Sequence, residues 1–165
     1  LVAVVSLWLP EILGNGRLLT QHTFNVSLDA AADGLTAAAA VYVLALCVAK
    51  AAVVVLSLRF GSYGGTLTPG LALGAAAAFC VAALVLWAFP GLGGVQGGAS
   101  MVLYAAALTG TAAFLGVSMN APLSALTLLI GFTGQGASAW LPMAVAVGTA
   151  VLTRWAWTRV FSTKK

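Results

Sequence analysis

The chain has 165 residues, of which 62% are hydrophobic and only 6% charged, with a formal net charge of +4. An ordinary soluble domain is about a quarter charged, so this composition excludes one: the chain lacks the charges to cover a buried core. In a bilayer the shortage is harmless, because lipid covers the apolar outside of packed helices. We therefore predict an all-α integral membrane protein.

Glycine and proline divide the chain into segments that we expect to be helical. In chain order we predict a helix tail at 1–13, a turn at 14–17, a short semi-polar helix at 18–24, a polar connector at 25–33, and apolar runs at 35–58, 70–89, 99–119, 123–132 and 140–157. At about 1.5 Å per residue, the longer runs can cross a hydrocarbon core of about 30 Å. The run at 123–132, which follows Asn120-Ala121-Pro122, is too short to span, so we expect spanning and broken helices together.

The chain opens at Leu1 inside an apolar run, without an initiating Met or the positively charged start of a signal peptide. We interpret this start as the tail of a helix from a longer protein. A processed mature terminus is the alternative.

The stretch at residues 61–75, which reads GSYGGTLTPGLALGA, carries the chemistry. Gly64 and Gly65 can approach a ligand closely, and Pro69 favours the first turn of a helix, so a helix is predicted to start at Thr66 or Leu67. If that start lies at mid-membrane, its unpaired N–H groups and positive dipole end form an anion site. The alternative is a glycine-rich surface turn that is capped by Thr66 and wetted by water.

The sequence contains few other residues that could bind a ligand or take part in a reaction. Lys50 is a lone charge inside a span; it is either functional, part of a helix contact, or snorkelling to the interface. Cys47 and Cys80 have no metal-ligand spacing, so we expect packing residues and no metal or cofactor. No nucleophile–base pair, phosphate loop or nucleic-acid patch can be assembled, so no enzyme is expected. A basic cluster near the C-terminus, with Arg154 and Arg159, is interpreted as a membrane anchor.

Four blocks of the sequence resemble the CLC chloride channels and chloride–proton antiporters. Residues 64–69 resemble the family's Gly-Gly-x-Phe-x-Pro, with Leu67 in place of Phe, and residues 71–75 match Leu-x-x-Gly-Ala. The block AAALTGTAAF at 105–114, followed by NAPLS at 120–124, resembles a Gly/Ala-rich helix and its Ala-Pro-Leu break. Leu141-Pro142-Met143 and the turn PEILGNG at 10–16 are also similar to family segments.

The resemblance implies that residues 1–165 are the second half of a CLC membrane domain, one inverted repeat without its last helix and without a soluble domain. It implies chloride transport, with the backbone N–H groups of Thr66 and Leu67 on the anion and a supporting loop of Gly64, Gly65 and Pro69. It further implies a homodimer of the full-length protein through 123–132 and 140–157, in a plasma (inner) membrane. Channel and antiporter are not distinguished, because the family's glutamate-bearing loop belongs to the first half. A secondary transporter outside the family, or a structural membrane subunit, is the alternative.

Overall fold

The computed structural model describes residues 16–30, 36–61, 67–89, 91, 98–134, 136 and 139–162. The regular structure of these residues is helical. Its six α-helices are α1 (Arg17–Asp29), α2 (Ala37–Arg59), α3 (Leu67–Ala88), α4 (Gly98–Ser118), α5 (Pro122–Thr133) and α6 (Trp140–Ser162). The predicted helix tail at 1–13 lies outside the described residues.

Local signals in the sequence set several helix ends. The Oγ1 atom of Thr36, the N-cap of α2, accepts a hydrogen bond from the Ala39 N–H at 3.3 Å. Asn120 adopts a left-handed φ of 54°, and Pro122 opens α5, where its missing N–H costs nothing. Gly134 ends α5 in a left-handed conformation. The predicted break between two helices at Asn120-Ala121-Pro122 is therefore confirmed.

The first described helix is longer than the sequence suggests. α1 continues to Asp29, so the polar connector that composition predicts at 25–33 is wrong over residues 25–29. The buried hydroxyls of Thr23 and Ser27 donate to the carbonyl oxygens of Leu19 and Thr23, each at 2.8 Å. Because the helix itself satisfies these polar groups, the helix can continue through them.

Three of the described helices, α2, α3 and α4, are long and apolar enough to cross a membrane. This finding supports the predicted all-α membrane fold. The predicted span at 140–157 is not among them, although α6 has 23 residues. Arg154 and Arg159 lie in the C-terminal half of α6 and lower its hydropathy, because guanidinium groups are costly in hydrocarbon.

Helix α4 lies at the centre of the packing and contacts α1, α3, α5 and α6. It runs antiparallel to α3, because Gly70 faces Phe114 while Gly74 faces Gly110. A Cβ atom added to Gly74 would lie 2.8 Å from both the Gly110 carbonyl oxygen and the Phe114 Cβ. Gly74 and Gly110 thus let the two backbones touch within one chain, as small residues do at helix contacts.

Candidate functional site

The candidate anion site is the N-terminus of α3, which begins at Leu67. Leu67, Thr68 and Pro69 are half-buried, and the helix bound agrees with the predicted start at Thr66 or Leu67. The first N–H groups of a helix have no partner within it. The other predicted site residues, Gly64, Gly65 and Thr66, lie outside the described residues. The structure thus places Leu67 and Pro69 together in the first turn of a helix.

A second helix N-terminus lies against this first turn. Gly16, the N-cap of α1, is buried and has a φ of 85°. A Cβ atom on Gly16 would lie 2.7 Å from the Ala72 Cβ, 3.4 Å from the Thr68 carbonyl oxygen and 3.6 Å from the Pro69 Cα. No side chain caps α1 at this end. The positive dipole ends of α1 and α3 are therefore neighbours.

Two ring contacts in the middle of α1 hold it against α2 and α4. The His22 ring meets the Tyr42 ring of α2 edge-on, with centroids 5.4 Å apart. The Phe24 ring lies 5.2 Å from the Tyr104 ring of α4. Such aromatic pairs add to the energy of apolar packing. α1 is thus anchored to α2 and α4, two of the helices that are long and apolar enough to cross a membrane, as well as to the start of α3.

The C-terminal end of α4 lies alongside the start of α3. A Cβ atom on Gly70 would lie 4.0 Å from the Ser118 Oγ. The C-terminus of a helix is the negative end of its dipole. Here Arg154 of α6 donates from Nη1 to the Val117 carbonyl oxygen at 2.8 Å and to the Asn120 Oδ1 at 3.2 Å. A guanidinium therefore offsets the negative end of α4, a contact that the membrane-anchor interpretation of this arginine did not include.

Carboxylates are remote from the candidate site within the part of the chain that the structure describes. The one acidic side chain there is Asp29, the last residue of α1, whereas Gly16 at the other end touches α3. Twelve helical positions after Arg17 correspond to about 18 Å. The first turn of α3 is the positive end of its own helix dipole, and it lies beside the positive end of α1. Among the described residues, no acidic side chain lies nearby.

The other polar and sulfur-containing residues noted here lie in surroundings that favour a role in helix packing. Lys50 is 3% exposed and shares the buried face of α2 with Val43 and Leu46, which fits a helix contact rather than snorkelling. Thr109 and Thr111 donate to carbonyl oxygens of their own helix, as hydroxyls within helices commonly do. Cys47 and Cys80 are free thiols, and the described residues contain no group of potential metal ligands.

A groove of about 740 Å³ lies between α3, α4 and α6 and does not include the start of α3. Small residues such as Ala78, Gly110 and Ala150 line it. Its three lining threonines, Thr109, Thr149 and Thr153, donate to carbonyl oxygens of their own helices. Because these hydroxyls already donate within helices, the surface of the groove is mainly apolar.

Residues 1–154 match the sequence model of a family that is described as "Voltage gated chloride channel". This match covers all six described helices except the last residues of α6. No curated protein and no solved structure gave a match.

Proposed function

Because the chain belongs to the voltage-gated chloride channel family, we propose that it forms part of a chloride pathway in which backbone N–H groups at the start of α3 hold the anion. Members of this family are membrane channels and transporters rather than enzymes, so anion transport of the channel or antiporter type follows from membership. Membership also removes the alternative of a transporter from outside the family.

The observation that supports the site is the start of α3 at Leu67 beside the N-terminus of α1. A small anion that must leave again is suited to neutral dipoles, because a buried lysine or arginine would hold it too tightly. The described first turn of α3 carries no acidic residue. Leu67 and Thr66 would donate their N–H groups, while Gly64, Gly65 and Pro69 would shape the approach.

A proline substitution tests a backbone donor directly. Leu67→Pro removes one N–H at a position where proline is compatible with a helix. We expect chloride affinity, measured by isothermal titration of the purified full-length protein in detergent, to fall at least about tenfold, since hydrogen bonds to charged groups contribute about 1.5–3 kcal/mol. Titration with gluconate, a much larger organic anion, is the control for nonspecific anion binding.

Two variants separate the lost N–H from other effects. Leu67→Ala keeps the N–H and removes the side chain, so its chloride affinity should stay near that of the wild type. Ala37→Pro places proline at the first position of α2, after the Thr36 N-cap, and should also leave chloride binding unchanged. Equal affinities for Leu67→Pro and Leu67→Ala would disprove the role of this N–H group.

We also propose that residues 1–165 are the second half of a CLC membrane domain and that the full-length protein is a homodimer in the plasma (inner) membrane. Large apolar side chains support a contact through α5 and α6, because Leu123 is 77% and Leu141 76% exposed. Cross-linking of the full-length protein in mild detergent tests this state. A monomer at every protein concentration would contradict it.

A further inference from the structure

The groove between α3, α4 and α6 runs along the length of these helices. On α4 its lining extends from Val102 to Val117, and on α3 from Leu86 back to Gly74. Fifteen positions of α4 correspond to about 22 Å, whereas one leaflet contributes about half of a hydrocarbon core of about 30 Å. The groove is therefore long enough to hold a lipid acyl chain through the whole depth of one leaflet.

The lining of the groove carries no charge. Its residues are alanine, glycine, valine, leucine, phenylalanine and threonine, and the threonine hydroxyls donate within their own helices. Ala77, Val81 and Phe114 of the lining are exposed, so a ligand can enter from the side. A ligand that fills the groove must be apolar along its length, because it would find few hydrogen-bond partners there.

A guanidinium group lies at one end of the groove. Arg154 follows the lining residue Thr153 and donates from Nη1 to the carbonyl oxygen of the lining residue Val117 at 2.8 Å. Its bond to the Asn120 Oδ1 also comes from Nη1. A guanidinium has five N–H donors, arranged in a fork that suits phosphate. Because the Arg154 side chain is exposed, its Nε and Nη2 can bind an anionic headgroup.

Other charges of the described helices are distributed in the same sense. Arg17 follows Gly16, which touches the start of α3, and α4 ends beside that start. Arg154 reaches this same end of α4, and Arg159 lies five positions further along α6. Asp29, the acidic side chain of the described residues, is about 18 Å from Arg17 along α1. The end of the groove at Arg154 thus lies on a basic side of the protein, which anionic lipid attracts.

From these observations we infer that the groove and Arg154 form a binding site for an anionic phospholipid, with an acyl chain between α3, α4 and α6 and the phosphate at Arg154. A long apolar groove with a positive group at one end matches a long apolar chain with a negative group at one end. The site is independent of the proposed anion site, because the lining of the groove does not include the start of α3.

Photo-cross-linking of the full-length protein in lipid nanodiscs tests the site. The probe is phosphatidylglycerol with a diazirine in its acyl chain, and mass spectrometry identifies the labelled peptides. We expect label on the groove faces of α3, α4 and α6, about fivefold more than from a phosphatidylcholine probe with the same chain, which is equivalent to about 1 kcal/mol for one basic residue at an anionic surface. Unlabelled phosphatidylglycerol should compete, whereas inorganic phosphate should not.

Two results of this experiment would overturn the inference. Equal labelling by the two lipids would mean that Arg154 does not select an anionic headgroup. No label in the groove from either lipid would mean that another segment of the full-length protein, or a second copy, occupies it.

A bulky side chain in the groove provides a steric test. Ala150 lines the groove on α6 and is half-buried, so Ala150→Phe should lower the groove label at least about fivefold by filling the space of the acyl chain. Ala144→Phe is the matched control, because Ala144 is an exposed alanine of α6 outside the lining. It should keep the label of the wild type.

A charge variant tests the headgroup and decides the question even if Ala150→Phe does not fold. Arg154→Gln should reduce labelling by phosphatidylglycerol to the level of phosphatidylcholine and leave labelling by phosphatidylcholine unchanged. Arg59→Gln is the control for general attraction to anionic lipid, since Arg59 is exposed at the end of α2, which does not line the groove. Equal losses for the two arginine variants, or no loss for Arg154→Gln, would overturn the role of Arg154.

Discussion

The two halves of α3 have different surroundings. None of the residues 67–76 is exposed, whereas six of the twelve residues 77–88 are. The first half contains Gly70, Ala72 and Gly74, whose small size admits α1 and α4. The second half presents side chains such as Leu84 and Trp87 outward, at 66% and 83% exposure. Within one apolar helix, side-chain size thus separates an enclosed end, where the anion site is proposed, from a surface suited to lipid.

Two neighbouring alanines test this difference most strongly. Ala76 is 0% exposed and Ala77 is exposed, although they adjoin in sequence. Ala76→Leu should destabilise the fold by about 2–3 kcal/mol, because a packed site cannot accept the added carbons without shifting backbone. Ala77→Leu should change the free energy of unfolding by less than about 0.5 kcal/mol.

Unfolding in mixed micelles with increasing SDS, followed by far-UV circular dichroism, measures both variants. Equal losses of stability for the two leucine variants would mean that the halves of α3 are enclosed alike, and the comparison would fail.

Substitution of two glycines by alanine should change the free energy of unfolding less, and the two changes should have opposite signs. Gly74→Ala would place its Cβ 2.8 Å from the Gly110 carbonyl oxygen, so it should cost about 1–2 kcal/mol. Gly148 lies within α6 and has nothing within 4 Å, so Gly148→Ala should stabilise by up to about 1 kcal/mol through helix propensity. The same SDS unfolding assay measures the stability of both variants. A Gly74→Ala variant that is more stable than the wild type would contradict the close contact of α3 with α4.

The smallest effect concerns the end of α4 beside the enclosed half of α3. Arg154→Gln should cost about 1 kcal/mol, because it weakens the hydrogen bonds to Val117 and Asn120. Arg159, which lies 4.1 Å over the Trp155 ring, is the control; Arg159→Gln should cost about 0.5 kcal/mol, as exposed cation–π pairs do. Thermal unfolding in detergent compares the stability of the two variants. A larger loss of stability for Arg159→Gln than for Arg154→Gln would mean that Arg154 has no special role at the C-terminal end of α4.

The boundaries of the helices were largely predictable from the sequence. Thr36 before a long apolar run, and Asn120-Ala121-Pro122 between two runs, act through atoms of neighbouring residues, so a reader of the sequence sees the cause directly. The sequence predicts too short an α1, because Asn25, Ser27 and Asp29 are polar by type. Whether a hydroxyl favours a turn or donates back into a helix depends on what buries it.

The candidate site was predictable in part. The pattern of Gly64, Gly65 and Pro69 indicated a helix start near Leu67, and the structure begins α3 there. The contact of Gly16 with the start of α3 is not predictable from the sequence, because a glycine after Asn15 is typical of an ordinary turn. The contact of Arg154 was missed too, since its partner Val117 lies 37 residues away in the sequence.

By itself the sequence determined that this protein belongs in a membrane, that it is helical, and that two helices are separated at Asn120-Ala121-Pro122, because composition and local backbone chemistry act within a few residues. Tertiary structure alone decided which of many similar small residues touch another helix. It selected Gly16 and Gly74 for backbone contact, left Gly148 open, and buried Lys50 on a helix face. In an alanine- and glycine-rich chain every helix face is apolar and smooth, so sequence periodicity cannot indicate which face will be covered.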